Sequence, residues 1–284
     1  MDNLKDLQEI KELRKQIFKV GYKGGMAHLA SCFSCIEILY ALYIKGVLKI
    51  DFNNPFAPTR DRLVLSKGHA GLALYSILVK VGLMKEDDLN SYLQPGTNIG
   101  GEPCMRDLKI VEATTGSLGH GLSMAVGLAL GQRINKTTAK TYVIVGDGEL
   151  EEGTVWEGVM SASAFKLDNL IVILDCNKIQ KMDTVDNIMG FNNWKEKWTA
   201  FGWDVVEVKG HDINSITSVL SMGNNSLKPR IVIADTIKGK GVSIMENNPN
   251  WHFKLPNKKE LKIFQAELGL SKEEMEDLLC KEHI

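Results

Sequence analysis

Two hard-oxygen side chains stand at an offset of 30 in this sequence, each just past an apolar run. Asp147 follows the run 142–145 and lies between Gly146 and Gly148; Asn177 ends the triplet Asp175-Cys176-Asn177 after the run 170–174. A carboxylate and an amide oxygen are ligands for a hard divalent cation such as magnesium. That ion takes one or two protein carboxylates and fills its other positions with water and phosphate oxygens. Gly148 lets the backbone approach a ligand closely, and the helix expected next offers free N–H groups and a positive dipole end to an anion. The chemistry indicated is a metal-bridged phosphate or diphosphate. A tight glycine turn with ordinary surface polar residues is the alternative that Gly-Asp-Gly alone leaves open.

The elements that place these residues are legible around them. The two apolar runs read as buried strands joined by a helix, a βαβ unit. Asp147 and Asn177 then lie beyond the C-terminal ends of neighbouring parallel strands, where open α/β sheets bind ligands. A short strand at 63–65, the loop Ser66-Lys67-Gly68 and an apolar helix opened by His69 repeat the arrangement, and a histidine there can donate to an anion. Lys238 and Lys240 among glycines could cradle phosphate or belong to a flexible basic loop. Glu149, Glu151, Glu152 and Glu157 suit the dipole of a first helical turn and read as a solvated face.

The chain has 284 residues, 44% hydrophobic, enough for a sizeable core, and its alternating strands and helices predict a parallel sheet covered on both faces. We expect a single domain over 1–284 with 255–284 as a C-terminal helical extension, its last helix capped by Ser271 and Glu274. A helical stripe runs through Leu4, Leu7, Ile10, Leu13 and Ile17; a glycine-rich break and His28 follow, and Ser34 with Glu37 reads as a capping box opening the next helix. The segments 94–109 and 178–194 read as loops, and the small residues of 111–127 as a closely packed helix. Net charge is −1, so no basic field argues for nucleic acid, and no apolar run approaches a membrane span. The charged start has no signal core, and five scattered cysteines fit reduced thiols, so a cytoplasmic location is expected. Cys32 and Cys35 form a C-x-x-C without a second pair, which reads as packing rather than metal or redox chemistry.

The string GDGELEEGTVWEG with DCNKI resembles the thiamine-diphosphate motif of the transketolase family. LSKGHA followed by ALY, TTGSLG-x-G, Lys-Gly-x-Gly, and Trp251, His252 and Lys254 are similar to the same family, from about 13 to 254. The resemblance implies the diphosphate-binding fold of transketolase, with thiamine diphosphate and magnesium (or calcium or manganese) as cofactors. Asp147, Asn177 and the carbonyl of Ile179 would hold the metal. His69, Gly116, Ser117, Leu118, Gly146, Gly148, Glu149, Ile237, His252 and Lys254 would join them in binding the cofactor. His28, His69, Glu102, Glu152 and His252 would serve the reaction, with Glu152 at a subunit contact.

Three places depart from the family pattern. Ala27 and Leu29 flank His28 in place of Gly and Pro, Phe253 replaces a Gly, and Glu102 stands where transketolases carry a histidine facing the donor hydroxyls. The related deoxyxylulose-phosphate synthases, with pyruvate as donor, resemble this chain in placing a Glu near that position. The resemblance extends only over the diphosphate-binding half. It implies the N-terminal subunit of a split transketolase. Ketol transfer from a ketose phosphate to an aldose would then need a partner chain carrying the pyrimidine-binding domain, in an α2β2 assembly. The segments 119–130 and 154–165, small and apolar, are the expected contact. The alternatives are an acyloin-type synthase with another donor such as pyruvate, and a non-catalytic cofactor-binding subunit. The absence of Gly-x-Gly-x-x-Gly after the first strand counts against a dinucleotide.

Overall fold

A computed structural model describes residues 2–190, 193–224 and 226–280. The chain opens with α1 (Asp2–Lys23) and α2 (Leu29–Tyr43), then β1 (Arg62–Leu65), α3 (Gly71–Lys80), α4 (Glu86–Asn90) and α5 (His120–Ile134). The central unit is β2 (Thr141–Gly146), α6 (Gly153–Ala164) and β3 (Leu170–Cys176). There follow α7 (Val185–Ile188), α8 (Trp194–Ala200), β4 (Asp204–Lys209), α9 (Ile213–Ser221), β5 (Arg230–Asp235), α10 (Leu261–Leu268) and α11 (Lys272–Leu279). The strands form one parallel sheet in the order β1-β2-β3-β5-β4.

Both faces of the sheet are covered, so its central strands are apolar on both sides rather than alternating in polarity. Side chains still alternate in direction. Tyr142, Ile144, Ile171 and Ile173 enter the core shared with α1, α2, α3 and α9, while Val143, Val145, Val172 and Leu174 enter the core beneath α5, α6 and α8. The register pairs Gly146 with Asp175, so Asp147 and Asn177 leave the sheet at one edge, as expected.

Three local expectations are corrected. Ser34 does not open a helix: α2 starts at Leu29 with His28 as its N-cap residue, and Ser34 lies buried inside it. Every residue of α2 is buried, so core packing overrides the capping signal. The helix expected over 111–127 begins only at His120, because Gly116 (φ +130°) and Gly119 (φ +85°) take backbone conformations that a right-handed helix excludes. The loop 178–194 contains α7, capped by the Thr184 hydroxyl, which accepts from the Asn187 N–H.

The capping box of Ser271 and Glu274 is present. Leu261, Phe264, Leu268, Met275 and Leu278 of the last two helices join the core cluster of Ile10, Leu13, Ile17 and Phe18. Cys32 and Cys35 are fully buried in α2, and burial pushes the Cys32 thiol up to about 12 and Cys35 higher still. Both are packing residues, as expected. Over the segments 119–130 and 154–165, Met124, Met160 and Phe165 are exposed, and Ile134 continues that apolar surface along α5.

Candidate active site

A cavity of about 270 Å³ opens where the chain leaves β1, β2, β3 and β5. The structure brings His28, His69, Glu102, Gly116, Leu118, Gly146, Asp147, Gly148, Glu149, Asn177, Ile179 and His252 together around it. It does not bring Ser117, Glu152, Ile237 or Lys254 to the lining. Ser117 and Glu152 are exposed beside it. The N–H of Ile237 donates to Nε2 of His211 at 2.8 Å, and Ile237 lines a neighbouring cleft instead. Lys254 pairs with Glu260 at 2.5 Å and covers the Trp251 ring, so its charge is engaged locally.

Asp147 is almost fully buried. One oxygen accepts the Gly148 N–H at 2.9 Å and the other accepts the Lys178 N–H. Lys178 reaches that bond from a left-handed conformation, φ +67°, uncommon for a residue with a side chain. Burial, and after it the charge of Asp175, raises the Asp147 pKa to about 6. Asn177 turns its amide oxygen to the Ile179 N–H at 3.2 Å. A Cβ on Gly148 would meet Gln180 at 2.8 Å, so this glycine is needed for close approach of the two strand-end loops.

His28, His69 and His252 form a triangle, with ring centroids 5.2, 5.2 and 5.8 Å apart. Burial, then the charge of Lys238, holds His28 at about 4 and His252 at about 3; burial, then Lys67, holds His69 far below its ordinary range. All three are therefore neutral at physiological pH, each ring offering one donor and one acceptor. Phe253 lies against His28 at 4.7 Å between centroids.

Glu149 corrects the solvated reading of the acidic turn. It is buried, accepting from the Ser66 hydroxyl, the Gly119 N–H at 2.9 Å and the Gly146 N–H at 3.1 Å. It thereby ties the Gly116–Gly119 turn to the strand ends, and burial raises its pKa against those donors. Glu102 is exposed, and its carboxylate lies over Gly116, whose backbone conformation, φ +130°, favours glycine.

Two buried lysines supply positive charge. Lys238 donates to the carbonyls of Ile179 at 2.9 Å and Gln180 at 3.2 Å, and burial, with Lys67 next, lowers its pKa to about 8. Lys67 reads from the sequence as no more than a loop residue. Burial disfavours its charge, but the adjoining Asp175 carboxylate outweighs burial and holds its pKa above the ordinary value. Its position two residues after β1 and two before His69 is the signal that could have found it.

Comparison with known proteins gives a consistent result. Residues 9–278 match the family model described as transketolase, thiamine diphosphate binding domain. The chain is 36% identical over 264 residues to an apulose-4-phosphate transketolase subunit of Phocaeicola vulgatus, covering 93% of each chain. It is 40% identical over 243 residues to a 6-deoxy-6-sulfo-D-fructose transketolase subunit of a Clostridium species, covering 85% of this chain and 88% of that one. Against the transketolase structure from Campylobacter jejuni the TM-score is 0.85 at 29% identity, covering 96% of this chain but only 45% of that one. The chain belongs to the transketolase family, and its fold is that family's thiamine-diphosphate-binding domain.

Proposed function

We propose that this chain is the diphosphate-binding subunit of a two-chain transketolase, moving a two-carbon ketol unit from a ketose phosphate to an aldose. The observation that carries the reading is the convergence of Asp147, Asn177 and Ile179 with three neutral imidazoles on one cavity. A second supports it: the chain covers 93% of a relative that is named as one subunit, but 45% of a whole transketolase.

The residues fit a metal-bound diphosphate. The donor set is one carboxylate, one amide oxygen and one carbonyl, and no cluster of three or more His, Cys, Asp or Glu suited to a metal occurs among the described residues. Such an open oxygen set suits magnesium, which keeps water and phosphate ligands, better than a closed protein cage; calcium or manganese would use the same atoms. A buried carboxylate whose pKa has risen to about 6 gains from a cation beside it. Lys67 and Lys238 balance diphosphate charge.

Thiamine diphosphate, when bound, supplies the nucleophilic carbon and stores the carbanion. The chain binds, orients and moves protons. His28, His69 and His252 hold donor hydroxyls, and a neutral imidazole can accept a proton at one nitrogen and donate from the other. The half-exposed Phe253 ring narrows the approach to His28.

A partner chain with the pyrimidine-binding domain would complete the cofactor site in an α2β2 assembly, covering the apolar surface of α5 and α6. The chain would be one domain acting in cytoplasmic carbohydrate metabolism. Among the described residues no helix is long and apolar enough to cross a membrane. The test is ketol transfer by the purified chain with cofactor and magnesium, alone and with the partner. Turnover only in the mixture supports the reading; sustained turnover by the chain alone, or none in the mixture, sinks it. Glu102 on the cavity wall favours a second reading, an acyloin-type synthase with a pyruvate-like donor, which a donor screen on the same mixture separates.

A further inference from the structure

Asp175 is completely buried and does not line the cavity, yet its carboxylate gathers four separate segments. It accepts from the Ser34 hydroxyl of α2 at 2.6 Å, from Lys67 after β1, from the Asn177 amide after β3 at 3.3 Å, and from the Thr236 hydroxyl after β5. We infer that Asp175 is a positioning residue that fixes which way the Asn177 amide points, turning its oxygen to the metal-binding face.

Donor and acceptor chemistry decides the orientation. An Asn amide can present either its oxygen or its NH2 group, and only the oxygen binds a cation. A carboxylate accepts and does not donate, so it can hold only the NH2 side. With Nδ2 on Asp175, Oδ1 is left on the opposite side, where it accepts the Ile179 N–H at 3.2 Å. A half-turn of the amide would set two acceptors face to face and present NH2 to the metal. Strand geometry makes the contact available: residues two apart at a strand end share a face, so Asp175 and Asn177 lie together while Cys176 packs into the core of the opposite face. Ser34, Lys67 and Thr236 hold the carboxylate itself in place. Partners that orient a metal ligand in this way typically change metal affinity 10–100-fold when lost.

The competing role is charge balance alone, with Asp175 serving only to neutralise Lys67. That role would affect any anion in the cavity, with or without a metal. The inference rests on the diphosphate reading above, so the probe is inorganic diphosphate, titrated calorimetrically into the full chain with and without magnesium. For wild type, magnesium should tighten diphosphate binding. For Asp175→Asn with an unchanged far-ultraviolet spectrum, that tightening should shrink about tenfold, while metal-free diphosphate affinity stays within about threefold. A retained magnesium effect overturns the positioning role, as does an equal loss with and without the metal. If wild type itself shows no magnesium-dependent binding, the diphosphate reading fails and the inference fails with it. Should Asp175→Asn not fold, Thr236→Val keeps the Lys67 pair and removes one restraint on the carboxylate. Its magnesium effect should drop about threefold, and an undiminished effect overturns the inference.

Discussion

Nζ of Lys238 lies 3.0 Å from Nδ1 of His252. An ammonium can only donate, so Nδ1 is the acceptor and the neutral ring carries its proton on Nε2. Burial, and next the Lys238 charge, keeps His252 at about 3. Lys238→Met should therefore move the His252 titration upward, though still below the ordinary 6.5 because burial persists. Ring-proton NMR against pH reads this directly; an unmoved titration would show that the lysine charge does not reach the ring.

Asp147→Ala should abolish cofactor-dependent stabilisation. With thiamine diphosphate and magnesium at a hundred times their dissociation constant, a bound wild-type chain gains about 2.7 kcal/mol. The variant should melt at the same temperature with and without them. A full thermal shift in the variant removes Asp147 from the metal set.

Much of this site could be read from the chain, and what could not shares one physical cause. Strand ends were legible because 142–145 and 170–174 are unbroken apolar runs that only a doubly covered sheet accommodates. Glu149 looked solvated because its local setting, an acidic first turn, is usually a surface. Its burial depends on Ser66 and Gly119, donors far away in sequence. The Lys67–Asp175 pair is hidden for the same reason. Lys254 belongs to a matching motif and Ile237 adjoins one, but His211 and Glu260, outside those motifs, engage them locally.

His28 gives a pH signature. Its folded pKa, about 4, lies below the ordinary 6.5, so the unfolded chain takes up the proton first as pH falls. The contribution to stability is whole above about 6.5 and declines as pH drops toward about 4. His28→Gln should lose less melting temperature than wild type across that interval. Parallel melting curves for the two proteins would count against a depressed His28.

Glu102→His should raise kcat/KM for ordinary ketose phosphates such as xylulose 5-phosphate in the assembled enzyme. A carboxylate on the cavity wall can only accept from donor hydroxyls, whereas a neutral imidazole can also donate to them. One altered hydrogen bond is worth about 1 kcal/mol, roughly fivefold. Identical donor preference in variant and wild type would mean that Glu102 does not read the donor.

The last prediction concerns how the chain is completed. Within α5, Met124, Gly127 and Gly131 follow at helical spacing, and a Cβ added at either glycine meets nothing within 4 Å. Glycine inside a helix costs about 1 kcal/mol relative to alanine, and no contact among the described residues requires it at 127. Exposed Met124 shares a cleft with Gly127, and exposed Met160 and Phe165 lie on the neighbouring α6 and at its C-terminal end. A close approach by the partner chain accounts for both features, since glycine lets backbones come near and apolar neighbours favour burial. Gly127→Ala should therefore stabilise the isolated chain by about 0.5–1 kcal/mol. Gly127→Arg should leave the isolated chain folded, because its side chain enters open space, yet weaken association with the partner tenfold or more and lower ketol transfer in step. Sedimentation velocity of the mixture, with circular dichroism of each variant alone, separates folding from assembly. An arginine variant that assembles and turns over like wild type would place the contact elsewhere on the chain.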